Sequence, residues 1–183
     1  MRNACATMIA NVCVKVYDMK GEVIKDVDVN LSDLVHEVAA DADFEANSRN
    51  RSVRISHCAE CVVSGIPELL RSAIENVVRN AVRYTVEQSA VQISLVCHAE
   101  NSTNPCAVIS VRDYGQGVPE TALGNIFLPF YRVAEARERK TGGTGLGLAI
   151  VERTVGLHHG TVKAKNAPDG GLIIEIYLPI VKT

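Results

Sequence analysis

Three stretches with helical periodicity alternate with short strand-like stretches, and this order constrains the fold more than any other feature of the chain. The helical stretches are residues 30–50, 65–85 and 146–159, and the strand-like stretches are residues 51–56, 61–64, 90–99, 106–113 and 160–180. Apolar residues recur every three to four positions in the first group and mostly at alternate positions in the second. The predicted apolar face of the first helix consists of Leu31, Leu34, Val35, Val38, Ala39, Ala42 and Phe44. The pattern predicts an α+β fold, a two-layer sandwich in which three main helices cover one face of a mixed, mostly antiparallel sheet.

The composition favours one domain with an aliphatic core and argues against two kinds of partner. The core of this 183-residue chain must be built mainly from Val, Ile, Leu and Ala, because tryptophan is absent and aromatic residues make up only 4%. The net charge of −2 does not favour nucleic acid as a partner. No stretch is long and apolar enough to span a bilayer, so we expect no membrane contact by this chain.

Residues 1–29 fit two structures equally well. The residues that would share one face of a helix are Cys5, Met8, Val12, Val16 and Met19. Residues 12–29 also fit a hairpin, and residues 22–29 are typical of a strand in either case.

The six cysteines include one cluster, His57-Cys58-Ala59-Glu60-Cys61, that raises the question of zinc. Cys97 or His98 could complete a set of four ligands, but a second closely spaced pair is missing. We therefore interpret the cysteines as reduced, small apolar residues in or near strands. The pair His158-His159 is likewise interpreted as the end of a helix.

The second helix carries a polar stripe beside its apolar one. Asn76, Asn80, Arg83 and Tyr84 lie at positions i, i+4, i+7 and i+8. Amide oxygens suit a hard cation such as Mg²⁺ and a guanidinium suits phosphate, so the stripe could hold a phosphate chain and its metal. On spacing alone, a solvated helix face is the favoured explanation.

Two glycine-containing stretches could complete such a site. Asp113 ends a strand, and Gly115 and Gly117 allow a tight turn after it, where a buried carboxylate could accept a hydrogen bond from an exocyclic amine such as that of adenine. An ordinary turn explains this stretch equally well. In residues 141–152, TGGTGLGLAIVE, glycines precede a helix and could present N–H groups to phosphate, although the stretch matches neither a Walker A nor a Rossmann motif.

Four motifs follow one another in an order that is more specific than any of them alone. They are NVVRNAVRYT at 76–85, DYGQGV at 113–118, IFLPFYR at 126–132 and GGTGLGLAIV at 142–151. This series resembles the asparagine, first glycine, phenylalanine and second glycine boxes of the ATP-binding catalytic domain of sensor histidine kinases, in the Bergerat-fold (GHKL) superfamily shared with DNA gyrase. The resemblance covers about residues 28–181, and residues 130–152 look most like kinases of the envelope-stress type.

The resemblance implies a site for Mg-ATP. The residues that would bind the nucleotide are Asn76, Asn80, Arg83, Tyr84, Asp113, Gly115, Gly117, Val118, Phe127, Tyr131, Arg132, Gly143, Thr144, Gly145, Leu146, Gly147 and Leu148. Those that would act in catalysis are Asn76, Asn80, Arg83 and Arg132, with Asn80 as the Mg²⁺ ligand. Asp113 would recognise the adenine amine, and Phe127 and Phe130 would anchor a lid formed by residues 133–142.

One position of the asparagine box predicts the fate of the γ-phosphate. ATPases of the superfamily carry a general-base Glu four residues before the metal-binding Asn, where this chain has Asn76. Glu75 is adjacent but about 100° away around the helix. We therefore expect slow activation of water, and transfer of the γ-phosphate to a histidine on a dimerisation domain.

That phosphoacceptor histidine is missing from the chain. HEVAAD at His36 copies only the first three positions of the family's acceptor motif. We interpret residues 1–27 as the tail of a preceding dimerisation helix plus a linker, and residues 28–183 as the catalytic domain. The expected partners are that dimerisation domain and a response regulator, with this cytoplasmic part belonging to a protein anchored in the inner membrane. A conformational ATPase, a serine-directed kinase and an inactive binding module remain alternatives.

Overall fold

The fold was examined in a computed structural model, which describes residues 25–98, 105–133 and 144–180. The elements in chain order are β1 (Val27–Asn30), α1 (Leu31–Asn47), β2 (Ser52–Cys58), β3 (Val62–Gly65), α2 (Pro67–Tyr84), β4 (Ala90–His98), β5 (Cys106–Arg112), a 3₁₀ turn (Glu120–Ala122), α3 (Gly147–Leu157), β6 (Thr161–Asn166) and β7 (Leu172–Pro179). This arrangement confirms the predicted α+β sandwich. The open question about residues 1–24 lies outside the described residues, and β1 occupies the end of the predicted strand.

The main sheet has five strands in the order β2-β4-β5-β7-β6, and β1 pairs with β3 in a separate two-stranded sheet. The β2–β4 pair is parallel, whereas β4–β5, β5–β7 and β6–β7 are antiparallel. The sheet is therefore mixed and mostly antiparallel, as predicted. In its register Leu95 lies opposite Ile109, and Ile109 lies opposite Ile176. These three side chains are buried on the face that the helices cover.

The helices form one layer on this sheet, with α2 in the middle. Helix α1 contacts β2 and β4, α2 contacts β4 and β5, and α3 contacts β6 and β7. Their apolar stripes include Val35, Ile74 and Val151, which are at most 1% exposed. Helix α1 begins after Asn30, whose Oδ1 accepts a hydrogen bond of 3.0 Å from the Ser32 N–H.

The sequence pattern predicts that Phe44 lies on the apolar face of α1, but the structure does not place it there. Its side chain is 87% exposed. The buried stripe includes Leu31, Val35 and Val38, and Phe44 follows Val38 by six residues, a rotation of about 240° around the helix axis. The prediction was wrong because Phe44 does not fall on the spacing of this stripe, which continues past it to the buried Ala46.

His158 ties the end of α3 to the start of α2. Its Nδ1 lies 2.7 Å from the Thr154 carbonyl oxygen, and the Ile66 N–H donates to its Nε2 at 3.0 Å. Because a carbonyl can only accept, Nδ1 carries the proton and Nε2 is the acceptor. Helix α3 ends at Leu157, so the interpretation of this pair as a helix end is confirmed.

Replacing His158 by phenylalanine is expected to destabilise the chain by about 1–3 kcal/mol, because the buried Ile66 N–H loses its acceptor. Urea unfolding followed by circular dichroism measures this change. Replacing the neighbouring exposed His159 by asparagine, which tolerates its φ of 57°, should change the free energy of unfolding by less than about 0.5 kcal/mol. Equal effects of the two substitutions would contradict the role of the Ile66 bond.

Candidate functional site

The four motifs meet around one cavity of about 890 Å³. The predicted residues that line it are Asn76, Asn80, Arg83, Tyr84, Asp113, Gly117, Val118, Tyr131, Arg132, Thr144, Gly145, Gly147 and Leu148. They come from the C-terminal half of α2, the segment after β5, the phenylalanine box and the start of α3. A polar stripe that the sequence alone could not distinguish from a solvated helix face therefore borders a cavity large enough for a nucleotide.

Three predicted nucleotide-binding residues do not line this cavity. Phe127 is buried in the core with 6% exposure, and Leu146 immediately precedes the first residue of α3. Gly115 packs against the end of α2, where an added Cβ would lie 2.5 Å from the Tyr84 carbonyl oxygen. Each of these three residues is instead a direct neighbour in the chain of a residue that lines the cavity. Gly143 lies outside the described residues.

Asp113 is the most buried charged group at the cavity, with 3% exposure. Its Oδ1 accepts hydrogen bonds from the Gly115 N–H at 2.8 Å and from the Leu172 N–H at 3.2 Å. Burial raises the pKa of this carboxyl above its ordinary value, and the two backbone hydrogen bonds oppose that rise. Both bonds use Oδ1, so neither occupies Oδ2, and the carboxylate is oriented by backbone that cannot easily move.

The asparagines of α2 offer amide oxygens rather than carboxylates. Asn76 donates from Nδ2 to the Ser72 carbonyl oxygen at 2.8 Å. Its Oδ1 faces the start of α3, since a Cβ added to Gly147 would lie 3.1 Å from this oxygen. Among residues 25–98, 105–133 and 144–180, no group of three or more His, Cys, Asp or Glu side chains is placed to hold a metal ion. The donor set at Asn76 and Asn80 fits Mg²⁺ that keeps phosphate and water as its other ligands.

Glu75 lines the cavity next to Asn76. Its Oε1 accepts a hydrogen bond of 2.9 Å from Arg71 Nε. The same guanidinium contacts Glu37 at 2.6 Å and Asp41 at 2.7 Å. Glu75 thus belongs to an ion-pair network that links α1 and α2.

The phenylalanine and second glycine boxes are joined directly. The Phe130 N–H donates to the Gly145 carbonyl oxygen at 3.0 Å. Gly145 has a φ of 74°, and an added Cβ would lie 3.0 Å from the Phe130 carbonyl carbon. Both ends of the predicted lid are therefore held together at the cavity. Residues 134–143 lie outside the described residues, so the lid itself stays a prediction.

Comparison with known proteins decides the family. The sequence profile of the histidine kinase-, DNA gyrase B- and HSP90-like ATPases matches residues 65–182. The chain belongs to this ATPase family. The resemblance stated from the four motifs is confirmed.

Two solved structures and one curated relative resemble this ATPase domain. The ATP-binding domain of PrrB from Mycobacterium tuberculosis is 30% identical with a TM-score of 0.66, over 86% of this chain and 98% of that one. The mycobacterial sensor histidine kinase MprB has a TM-score of 0.74 at 24% identity, over 86% of this chain and 100% of that one, which supports the fold. The sensor histidine kinase CpxA of Escherichia coli K12 is 37% identical over 177 residues, 96% of this chain but only 37% of CpxA.

Helix α1 contributes a wall of the ATPase cavity that the motifs did not reveal. Val38, Ala42 and Glu45 line it, together with Arg51 from β2's N-terminal flank. Arg51 Nη1 donates to the Val82 carbonyl oxygen at 3.0 Å, at the C-terminal end of α2. No local signal in the sequence marks these residues, because their place at the cavity depends on how α1 packs against α2.

The cysteine cluster lies away from this cavity. Cys58, Cys61, Cys97 and Cys106 are free thiols. Burial raises the pKa of the Cys61 thiol to about 12, with a hydrogen bond to Cys97 adding to the rise. Such a thiol is inert at neutral pH, in line with a structural role. Cys5 and Cys13 lie outside the described residues.

No helix in the described parts of the chain combines the length and apolar composition needed to cross a membrane.

Proposed function

We propose that this chain is the ATP-binding catalytic domain of a sensor histidine kinase, which transfers the γ-phosphate of ATP to a histidine on a dimerisation domain. The observation that carries the proposal is the position of the buried Asp113 carboxylate at the same cavity as Asn80 and the N-terminus of α3. The carboxylate suits a purine with an exocyclic amine, and the asparagine and the helix N-terminus suit a cation and phosphates.

Adenine recognition rests on Asp113. Its Oδ1 is held by two backbone N–H groups, and the carboxylate as a whole can only accept hydrogen bonds when it is ionised. Adenine presents an amine at the position where guanine presents a carbonyl oxygen. The oriented carboxylate therefore favours ATP over GTP, since a carbonyl oxygen facing it would be repelled.

Phosphate binding rests on other groups that border the cavity. Arg83 and Arg132 line the cavity, and α3 begins there at Gly147 with its N–H groups unsatisfied by the helix itself. Asn80, with Asn76 assisting, would hold Mg²⁺ through amide oxygens. Bound there, Mg²⁺ would neutralise phosphate charge and help to orient the γ-phosphoryl group for in-line transfer.

The nucleophile comes from outside the cavity. A neutral imidazole nitrogen of the acceptor histidine attacks the γ-phosphorus, an N–P bond forms, the bond to the bridging oxygen of ADP breaks, and the imidazole proton passes to solvent. Asn76 occupies the position of the general base and cannot take a proton, so hydrolysis by water should be slow. The neighbouring carboxylate, Glu75, is paired with Arg71.

The wider context of the catalytic domain belongs to the same proposal. Residues 28–183 are the catalytic domain, and residues 1–27 are the tail of a dimerisation helix plus a linker. A response regulator takes the phosphate from the histidine, and the domain works in the cytoplasm as part of a protein anchored in the inner membrane. The relative CpxA, which is named a sensor histidine kinase and is matched over 37% of its length, supports the assignment of the chain to a sensor kinase.

Replacing Asn80 by alanine is expected to reduce phosphotransfer at least about a hundredfold, because a group that fixes Mg²⁺ and the phosphates is lost. The assay incubates the chain with [γ-³²P]ATP, Mg²⁺ and the dimerisation domain of a related sensor kinase. The label should appear on that domain, be released by acid and survive alkali. Asn125, whose exposed Nδ2 donates to the Thr121 carbonyl oxygen, is the control for Asn→Ala.

Three outcomes of this assay would contradict the proposal. Acid-stable label would indicate a serine-directed kinase, and rapid phosphate release without acceptor would indicate a conformational ATPase. Undiminished phosphotransfer by the Asn80→Ala variant would show that Asn80 does not bind Mg²⁺ or phosphate in the reaction.

A further inference from the structure

Asn166, the last residue of β6, makes three hydrogen bonds to a segment 46–48 residues away in the sequence. Its Oδ1 accepts from the Val118 N–H at 3.0 Å, and its Nδ2 donates to the Val118 carbonyl oxygen at 2.7 Å. Nδ2 also donates to Glu120 Oε1 at 2.8 Å. The amide thus pairs with both backbone groups of one residue, as a neighbouring strand would.

The segment held by Asn166 is part of the cavity wall. Gly117 and Val118 line the cavity with Asp113. Gly117 has a φ of 70°, and an added Cβ there would lie 2.6 Å from Asn166 Oδ1. Glycine is required at this position because the backbone passes so close to the amide. Asn166 itself is absent from the residues that line the cavity, so it acts through Val118.

The hairpin that carries Asn166 also holds Asp113. At the start of β7, the Leu172 N–H donates to Asp113 Oδ1 at 3.2 Å, and the Asp113 N–H donates to the Leu172 carbonyl oxygen at 3.0 Å. The Ala167 N–H donates to the Gly171 carbonyl oxygen at 2.9 Å and closes the turn between the two anchoring points. This short turn therefore sets the spacing between the Asp113 carboxylate and the part of the cavity wall formed by Gly117 and Val118 (the Val118 wall).

We propose that Asn166 is a positioning residue for base recognition, which fixes the Val118 wall at the distance from Asp113 that an adenine ring requires. The inference rests on the proposed function and deepens it. An amide is needed because Val118 presents one donor and one acceptor. Aspartate would keep the acceptor but place a second oxygen against the Val118 carbonyl and the Glu120 carboxylate, and alanine would lose all three bonds.

The test compares Mg-ATP with Mg-ITP, whose base carries a carbonyl oxygen in place of the amine. Dissociation constants are measured by calorimetry for the native chain and the Asn166→Ala, Asn166→Asp and Asn125→Ala variants, and each ligand-free variant is melted. We expect both Asn166 variants to bind ATP about tenfold more weakly, the effect of a lost or misplaced hydrogen bond. Their affinity for ITP should stay within about twofold of the native value, so that the preference of the chain for ATP over ITP falls. Asn125→Ala should leave both affinities unchanged.

Two results would overturn the role of Asn166. A proportional loss of ATP and ITP binding, with the selectivity intact, would mean that the residue only stabilises the fold. Unchanged ATP binding in both variants would mean that the Val118 wall holds its position without it. A native chain that does not prefer ATP to ITP would instead overturn the adenine site of the proposed function, and this result is visible before any variant is made.

Discussion

Replacing Asp113 by asparagine is expected to weaken Mg-ATP binding about a hundredfold, the upper range for a lost hydrogen bond to a charged group. The asparagine Oδ1 can still accept from the Gly115 and Leu172 N–H groups, which keeps the local backbone in place. Its Nδ2 then replaces the second carboxylate oxygen and meets the adenine amine donor to donor. Recognition is lost without the removal of a structural hydrogen bond.

The same substitution should leave the ligand-free chain at least as stable as the native one. Burial raises the folded-state pKa of Asp113 above its unfolded value, so the folded state binds the proton more tightly. The contribution of this group to stability is therefore greatest at low pH and is lost as the pH rises through the folded-state pKa. At neutral pH the native carboxylate is ionised at a cost that asparagine does not carry.

Calorimetric titration with Mg-ATP and thermal melting without ligand check both parts of this expectation. Asp28→Asn, at an exposed position of β1, is the matched control and should change neither quantity. The native affinity for ATP should also fall as the pH is lowered through the Asp113 pKa, whereas the affinity of the Asp113→Asn variant should not follow this titration. Undiminished ATP binding by the Asp113→Asn variant would show that Asp113 does not recognise the adenine base.

Replacing Gly145 by alanine is expected to disturb the junction between the phenylalanine and second glycine boxes. Alanine at a φ of 74° costs about 1–2 kcal/mol in backbone energy. Its Cβ would also lie 3.0 Å from the Phe130 backbone, so the two segments of the junction must move apart by a few tenths of an ångström. We expect the hydrogen bond from the Phe130 N–H to the Gly145 carbonyl to be lost and ATP affinity to fall about tenfold or more.

Gly124 provides the control for this substitution. An added Cβ at Gly124 meets no atom within 4 Å, and its φ is not positive. Gly124→Ala should therefore change the free energy of unfolding by less than about 0.5 kcal/mol and leave ATP binding intact. Amide hydrogen exchange at Phe130 measures the junction itself. Native protection of this amide in Gly145→Ala, together with native ATP affinity, would contradict the account.

Local patterns in the sequence were sufficient to predict most of the fold. The apolar stripe of α2 and the alternation of apolar residues in β4, β5 and β7 each show that one face of the element is buried. This information lies within the segment itself, because apolar residues recur with the period of the helix or strand. The end of α1 was less predictable, since Phe44 shows that an apolar residue near the helical period need not face the core.

The candidate site was predictable only where its residues fall within motifs. Asn80 and Asp113 were found because each lies in a short pattern with a chemical interpretation. Asn166 and the α1 wall were missed, because their contacts join positions that are remote in the sequence. The ion pair of Glu75 with Arg71 was not predicted, because helical angle alone does not show which partner a long side chain reaches.

Equilibrium binding of Mg-ATP and Mg-GTP to this chain measures whether the cavity is an adenine-specific nucleotide site. We expect saturable binding of one ATP per chain, and GTP binding at least about tenfold weaker, because Asp113 accepts from an amine that guanine lacks at that position. Equal binding of the two nucleotides would contradict the adenine site. Absence of binding to either one would contradict the assignment of the chain as an ATP-binding catalytic domain.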